Sequence, residues 1–449
     1  MTAYIVLFFL LMVVLVWFLV RDKLSQKTII VYLSWWTLWL VISTLNPFGM
    51  FPVANRVYLL LLLNVFMFTL GFVLYGQIRR RQKGRLLENG TFKRTVLNNS
   101  MFKLVLIVLL AAVGYLFFKY LAILNLKGAA GGRTTLFEVG ELFLNKYEIF
   151  FYGLAIKPFA EVLAVVFICL LIFKRKPLIL TLCSAFIFIY GAIGSGRMYY
   201  ASIVIFLGYV LYLKKQILST GIFELQPVKK ATHEGAKRKF LLGVLLLLVV
   251  LLMAFITAQR LGYSGSKGEV LLSGGREFFK QSVWYMTGSF RALDYALAQD
   301  YAGMTGYFHG RATFAGFDGL VKIVVHGLGG TYESANNVIV PMIQETFLIS
   351  PEIHYNFAYT NVLVHYLDFG IWGVAILPFL FGLFSRSMYC KFKETPTFPL
   401  LALIVCLFFS MMITVFKWPY QFSNEVIVMV ALYLWHWITT KSIKKLKKC

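Results

Sequence analysis

The chain has 449 residues, of which 59% are hydrophobic and 14% charged, and its mean hydropathy is +0.76. Soluble domains run nearer half apolar and about a quarter charged, so this composition excludes an ordinary soluble enzyme and leaves no room for a separate soluble catalytic domain. The net charge of +25 invites a nucleic-acid reading, which requires a basic patch on one exposed face, so the placement of the charges has to be followed along the chain.

A membrane span needs about 20 mostly apolar residues. Stretches of that kind run from Tyr4 to Val20, Thr28 to Leu45, Val57 to Tyr75, Leu104 to Leu124, Phe150 to Phe173, Leu178 to Ile193, Met198 to Leu213, Phe240 to Thr257, Ala358 to Phe384, Phe398 to Phe416 and Val426 to Thr439. The expected fold is therefore an all-α polytopic membrane protein of about 11 transmembrane helices, since a helix satisfies its own backbone groups in lipid. Every second connection is basic. Arg21, Lys23 and Lys27 follow the first stretch, Arg79 to Lys103 carry eight basic residues after the third, and Lys174 to Lys176 follow the fifth. Seven more lie between Lys214 and Lys239, three between Arg386 and Lys393, and five from Lys441 to Lys448. Together these connections hold 29 of the 44 Lys and Arg but only five of the 19 acidic residues, nearly the whole net charge. The positive-inside rule then puts the N-terminus outside and the C-terminus in the cytoplasm. The charge excess is a topology signal, helped by anionic lipid headgroups, and no nucleic-acid partner is expected. Arg21 and Lys23 directly follow the first stretch without a small-residue cleavage site, so it reads as a retained helix.

The organisation expected is residues 1–257 for the first eight spans with an outer loop at 125–149, residues 258–357 for a large extracytoplasmic loop, and residues 358–449 for the last three spans and a basic cytoplasmic tail. The outer loops hold no cysteine, which excludes a disulfide framework there, and no Cys/His spacing suits zinc. A hundred-residue connection is far longer than an ordinary loop, so function is expected on the outer face. Within it Val283, Met286, Phe290, Leu293 and Leu297 recur at intervals of three and four, as in an amphipathic helix. That helix either lies flat on the membrane or caps the bundle, with Arg291 on its polar face turned toward the cavity beneath.

Polar residues within spans are costly and are candidates for function. His354, Asn361, His365 and Asp368 follow at intervals of seven, four and three, which would align them on one helical face entering the ninth span. Two readings of this stripe stay open: hydrogen bonding that holds helices together, or a substrate-lining surface that includes Asn356. His354, at the mouth, is suited to accept a proton from a hydroxyl. Lys119, Lys157, Glu161 and Glu425 lie near outer helix ends, where long side chains snorkel to the interface. Arg197 follows the tight Gly194-Ser195-Gly196 turn, where backbone amides and a guanidinium can converge on an anion.

The "GSGR" turn at Gly194 to Arg197, the long outer loop rich in Arg, Tyr and Gly, and the string "HYNFAYTNVLVHYLDFGIWG" from His354 to Gly373 resemble the bacterial oligosaccharide repeat-unit polymerases of the Wzy type, which make O-antigen and capsule and are similar in plan to the O-antigen ligases. The Arg-x10-Gly spacing of some members is absent after Arg133, Arg260, Arg276, Arg291 and Arg311.

The resemblance implies glycosyl transfer on the outer face of the bacterial plasma membrane. The donor is a glycan on undecaprenyl diphosphate, and the acceptor is a lipid-linked repeat unit whose hydroxyl displaces the lipid diphosphate. Arg197 and Arg311, then Arg291 and Arg133, are the candidates for holding the diphosphate, because guanidinium forks bind phosphate oxygens bidentately. His354 is the candidate base, with Glu345 and Glu161 as rivals. Tyr263, Trp284, Tyr301, Tyr307 and Tyr332 are candidates for stacking on sugars or for anchoring at the interface. With no Asp-x-Asp in the chain, no metal or other cofactor is expected. The expected partners are the lipid-linked oligosaccharides and the bilayer, with a chain-length regulator and a flippase as further ones. A flippase for such lipids, an O-antigen ligase and a non-enzymatic scaffold are the competing readings.

Overall fold

The computed structural model describes the chain apart from residues 82–99, 135–140, 174–176, 194–196, 219–242, 245–246, 249, 260, 264–265, 356–357 and 447–449. Much of the basic run at 79–103, the Lys174–Lys176 run, the Gly194–Gly196 turn, Arg260 and Asn356 therefore lie outside the described residues, as do the side chains of Arg133 and Arg197. Helix makes up 82% of the structure, which fixes the class as all-α. Six helices among the described residues are long and apolar enough to cross a membrane: α1 (Thr2–Leu19), α2 (Lys23–Leu45), α3 (Asn55–Arg81, apolar over Asn55–Ile78), α4 (Ser100–Thr134, apolar over Phe102–Leu126), the run Lys146–Ile172, and a long helix at Asn361–Glu394. The run Lys146–Ile172 comprises α5 (Lys146–Phe151), a π-helical turn at Tyr152–Ile156, and α6 (Lys157–Ile172). Shorter apolar helices follow the remaining stretches: α7 (Pro177–Ala192), α8 (Arg197–Tyr212), α10 (Val250–Gln259) after the short α9 (Lys214–Leu218), and α16 (Phe398–Ile413). The last stretch lies in α17 (Ser423–Leu446). The chain is a multi-pass helical membrane protein.

Two loops expected from sequence are shorter than their hydropathy suggests. Helix α4 runs on to Thr134, so the outer loop placed at 125–149 begins with helix. The span 258–357 is built mainly of helices: α11 (Lys267–Ala298), α12 (Tyr301–Thr305), α13 (Ala315–Gly327) and α14 (Ala335–Gln344), followed by a hairpin of β1 (Phe347–Leu348) and β2 (His354–Tyr355). A polar segment can fold as helix when neighbouring elements cover it, and hydropathy does not register that.

The chain divides into two compact units, one of Met1–Glu88, Val283–Pro396 and Leu407–Cys449, the other of Asn89–Ser282 and Thr397–Cys406. The first is organised around the crossing of α3 with α15 (Asn361–Glu394). Lipid tails are as apolar as leucine, so helices in a membrane associate by close backbone approach rather than by hydrophobic burial. Here a Cβ on Gly71 would lie 2.1 Å from the Phe379 carbonyl oxygen, and one on Gly382 would lie 2.1 Å from that of Phe68. Beside this contact Phe68 meets Phe381 at 5.4 Å and Phe72 meets Tyr389 at 6.0 Å between ring centres.

At one end of this unit Asp22 caps α2 and gathers charge. It accepts from the Ser25 hydroxyl at 2.6 Å, pairs with Lys393 at 3.0 Å and with Arg386 at 3.3 Å. The end of α1, the start of α2 and the end of α15 thus meet at one side of the unit. At the other end Asn46 leaves α2 with φ 49° and exchanges two hydrogen bonds with Met50, its amide donating at 2.6 Å and its oxygen accepting at 3.0 Å. This closes the turn into α3.

The ninth stretch is not one straight helix. Helix α15 starts at Asn361, and its path breaks at Phe369 and Gly370, where Gly370 takes φ 58° and ψ −141°. A Cβ on Gly373 would lie 1.9 Å from the His365 carbonyl oxygen, so the break needs both glycines. The expected alignment of His354 with Asn361, His365 and Asp368 on one helical face is corrected accordingly, because His354 sits in β2.

In the second unit α6 packs against α7 and α8. The Tyr199 hydroxyl donates to the Ala160 carbonyl at 2.9 Å, and the Tyr190 and Tyr199 rings meet edge-on at 4.8 Å. Lys119 pairs with Glu148 at 3.8 Å.

Gly382→Leu is expected to destabilise the first unit by more than the ~1–3 kcal/mol of ordinary overpacking, because the clash is with backbone. Gly114→Ala, with nothing within 4 Å of its added Cβ, is the control. Thermal aggregation followed by size-exclusion fluorescence in detergent measures both, and equal stability of the two variants contradicts the close crossing.

Candidate functional site

The first unit contains a cleft of about 240 Å³ lined by Phe51, Pro52, Arg291, Asp294, Tyr295, Ala298, Phe347, Leu348 and Ile349. Three elements build it. Arg291, Asp294, Tyr295 and Ala298 stand at i, i+3, i+4 and i+7 on α11 and so share one face. Phe51 and Pro52 come from the turn between α2 and α3, and the rest from β1 and the residue after it. Backbone groups stitch these walls together: Phe51 N–H donates to the Ile349 carbonyl at 2.8 Å, and Ala54 N–H donates to the Asp294 carboxylate at 2.9 Å. The Tyr295 and Phe347 rings stack at 4.6 Å with 4° between their planes. Gly288 makes room for Tyr355 behind this wall, since a Cβ there would lie 2.6 Å from the Tyr355 ring.

Arg291 is 5% exposed. Its Nε donates to the Phe51 carbonyl at 2.7 Å, Nη1 to that of Thr287 at 3.0 Å and Nη2 to Asn46 Oδ1 at 3.1 Å. Three of the five N–H groups of a guanidinium are thereby used, those to Phe51 and Asn46 holding α11 to the α2–α3 turn. Burial lowers its pKa to about 10, against the effect of Tyr58, so it stays cationic at neutral pH. The amphipathic helix expected here is present, with Val283, Phe290 and Leu293 buried. Its expected polar face is covered too, Thr287 and Arg291 included. Asp294 lies 3.6 Å from Arg56, which is more than half exposed. A cation, an anion and stacked aromatic rings thus converge on one open cleft.

Beside it, Glu345 accepts from the Tyr301 hydroxyl at 3.1 Å. Burial raises the Tyr301 pKa to about 12, with Glu345 adding to the effect. His354 is exposed and stands opposite Leu348 in the two-residue antiparallel pairing of β1 with β2. It therefore belongs to the hairpin that forms one wall of the cleft.

The polar stripe is a closed network. The Asn361 amide donates to Asn64 Oδ1 at 3.0 Å and lies 3.3 Å from His365 Nε2, while His365 Nδ1 lies 3.0 Å from the Thr313 hydroxyl. With Asn361 donating to Nε2, the imidazole carries its proton on Nδ1 and donates to Thr313. The Asp368 side chain has no exposed surface and accepts from Gly310 N–H at 2.8 Å, Ala312 N–H at 2.9 Å and Thr313 N–H at 2.7 Å. Trp418 donates its indole N–H to the Thr313 carbonyl at 2.7 Å. Asn361, His365 and Asp368 are thus brought together, His365 and Asp368 bonded to the loop 308–313 and Asn361 to Asn64 on α3.

Arg311 projects from that loop with its side chain 47% exposed. Its Nε donates to Asp318 at 3.2 Å and its Nη2 to the Glu333 carbonyl at 2.5 Å, and it lies over the Tyr332 ring at 5.4 Å. Burial acts to raise the Asp318 pKa, but hydrogen bonds from the Tyr332 hydroxyl, the Ala335 amide and Arg311 outweigh it and hold the carboxyl below its ordinary value.

The second unit carries Glu161 on α6 and the backbone positions of Arg133 at the end of α4 and Arg197 at the start of α8. Of the aromatic candidates, Tyr301 and Tyr332 bond to Glu345 and Asp318, Trp284 meets Phe48 edge-on at 6.3 Å, and none lines the cleft. Sequence reasoning missed Asp294, Tyr295 and Phe347. The first two were signalled by their helical spacing from Arg291, whereas nothing in the sequence pointed to Thr313 or Phe347. Among the described residues no His, Cys, Asp and Glu side chains group to hold a metal ion. Comparison with known protein families, with curated proteins and with solved structures finds no match.

Asp318 with a lowered pKa contributes stability that is present above the ordinary carboxylate value of 3.8 and is lost as pH falls through its folded value. Protease sensitivity of residues 311–335 should therefore rise on acidification. Tyr332→Phe, which removes one donor, should move that transition to higher pH, and an unchanged midpoint refutes the assignment. Asp368→Asn should speed amide exchange at Gly310, Ala312 and Thr313, because hydrogen bonds to a charged group are worth about 1.5–3 kcal/mol each. Unchanged exchange by mass spectrometry means the loop is held otherwise.

Proposed function

We propose that the chain is a membrane glycosyltransferase that polymerises undecaprenyl-diphosphate-linked oligosaccharide repeat units into surface polysaccharide on the outer face of the bacterial plasma membrane. The observation that carries this reading is the cleft in which Arg291 and Asp294 face the stacked Tyr295 and Phe347 rings. Sugars present apolar faces edged with hydroxyls, which stacked aromatics and a carboxylate suit, and a guanidinium suits the phosphate next to the first sugar. The resemblance of the Gly194–Arg197 and His354–Gly373 strings to the repeat-unit polymerases points the same way.

In the proposed reaction the acceptor hydroxyl attacks the anomeric carbon of the donor. The new glycosidic C–O bond forms as the bond to the lipid diphosphate breaks. The hydroxyl proton passes to His354, with Glu345, just ahead of the hairpin, as the alternative. The bonding electrons leave with the diphosphate, whose charge Arg311 and Arg291 offset. Arg311 suits the task because Asp318 and Tyr332 hold its fork in one orientation while leaving it half exposed. Preorganised donors of this kind contribute roughly 100-fold or more to rate. A flippase would supply the lipid-linked repeats, and a chain-length regulator would set the product size.

Gel analysis of surface polysaccharide from a strain lacking the gene tests the reading. It predicts single-repeat product that becomes a ladder when the gene is restored; polymer of full length stranded on its carrier would make the protein a ligase, and loss of all surface glycan a flippase. Arg311→Ala and Arg291→Ala should each cut long-chain product by roughly 100-fold with the protein still inserted. Arg311→Lys should be nearly as impaired, because a point charge does not replace the fork. A normal ladder in all three removes the proposed phosphate site.

A further inference from the structure

Helix α13 is amphipathic in the reverse sense from a soluble surface helix. Phe314, Phe317, Val321, Val324 and Leu328, from its N-cap to its C-cap, are 53, 41, 47, 60 and 84% exposed. Their spacing of three and four residues puts all five on one stripe. The polar residues of the same helix lie on another face, Asp318 buried, Lys322 half-buried and His326 exposed. Asp318, Lys322 and His326 follow at i, i+4 and i+8 and meet the 330–337 segment. Asp318 accepts from Ala335 N–H, Lys322 donates to Asn337 Oδ1 at 2.9 Å, and His326 Nε2 accepts from Tyr332 N–H at 3.3 Å. In water the cheaper arrangement is the opposite one, with charged groups solvated and apolar groups covered.

The third face fixes where the helix stands. A Cβ on Gly316 would lie 2.6 Å from Val426 Cγ2, and one on Gly319 would lie 2.9 Å from the Ser423 hydroxyl, which itself donates to the Gly316 carbonyl at 2.9 Å. Helix α13 is thus clamped on the first turn of α17. Farther along, α17 exposes Val430, Leu434, Trp437 and Ile438, an apolar face at i, i+4, i+7 and i+8. The exposed stripe of α13 therefore continues from the start of a helix whose own outward side chains are apolar.

We propose that the Phe314–Leu328 stripe is a membrane-contact surface, with α13 seated in the acyl and headgroup boundary of the bilayer. An interfacial helix buries one apolar face to a depth of about 5–10 Å, and Asp318, Lys322 and His326 stand off that face, bonded to the 330–337 segment, so they do not oppose it. Seating α13 in this way also fixes the level of Arg311, three residues ahead of Phe314 on the same loop, close to the plane of lipid headgroups.

Site-specific photo-crosslinking in the full-length chain tests this. Val324→benzoylphenylalanine and Leu328→benzoylphenylalanine, at exposed positions, and His326→benzoylphenylalanine, at the opposite face, are reconstituted in vesicles of phosphatidylethanolamine and phosphatidylglycerol. Mass spectrometry should find phospholipid adducts several-fold more abundant at Val324 and Leu328 than at His326. Equal adducts at the three positions mean that the stripe has no preference for lipid, and none at the first two that it faces water; either result overturns the proposal. Cross-linked dimers in place of lipid adducts assign the stripe to a second copy of the chain and overturn it as well. The readout does not depend on glycosyl transfer, so it stands or falls apart from the proposed activity.

Discussion

The first unit depends on how one buried carboxylate is satisfied. Asp368 has no exposed surface, and burying a charge without compensation is expensive. Three amides of one loop, from Gly310, Ala312 and Thr313, supply that compensation. The exchange runs in both directions. Where α15 breaks after Asp368, its last carbonyls lose their helical partners, and the loop donates to these too, Phe308 N–H to Leu367 at 3.0 Å and His309 N–H to Asp368 at 3.3 Å. The helix break and the loop therefore require each other. Gly370 permits the break, Asp368 fills the loop, and Thr313 passes the constraint on to His365 and Trp418.

Arg311 and Arg291 show how the same side chain is put to two uses. Arg291 spends three N–H groups on carbonyl and amide oxygens, which fixes α11 to the α2–α3 turn and places its charge in the wall of a cleft. Arg311 stands between Gly310 and Ala312, both tied down by Asp368, so its backbone cannot move, and Asp318 then orients its fork. One is buried and held by neutral acceptors. The other is half exposed and held by an anion. A fork of the first kind is available to a ligand that enters the cleft, and a fork of the second kind to one that competes with Asp318 for it.

Much of the fold was legible because lipid enforces it. Runs of apolar residues had to be helices, since a helix satisfies its own backbone groups in lipid. What hydropathy did not reveal was structure set by contact. Within 258–357 the periodicity of Val283 to Leu297 marked α11, but its polar face, with Thr287 and Arg291, is buried as well, so the pattern did not reveal what covers it. His354 precedes Asn361 by a helical interval, yet it pairs with Leu348 in a strand, ahead of the start of α15. Asp368 was visible as a polar residue in an apolar stretch. Its partners were backbone amides, which carry no sequence signature. Arg291 was legible as a candidate, and Asp294 and Tyr295 were recoverable from it by spacing alone, whereas Phe347 reached the cleft through a hairpin of only two paired residues per strand.

A membrane offers little hydrophobic drive between helices, so precision has to come from elsewhere. In this unit it comes from glycine. Gly71 and Gly382 let α3 and α15 meet backbone to backbone, Gly316 and Gly319 do the same for α13 on α17, and Gly288 admits the Tyr355 ring. Each contact tolerates almost no displacement, because an added Cβ would collide with backbone, an aromatic ring or a neighbouring side chain. The walls of the cleft inherit that rigidity through hydrogen bonds from main-chain amides, Phe51 to the Ile349 carbonyl and Ala54 to the Asp294 carboxylate, and through the Tyr295–Phe347 ring stack. A cleft framed in this way is organised before a ligand arrives, and binding there does not have to order the groups it uses.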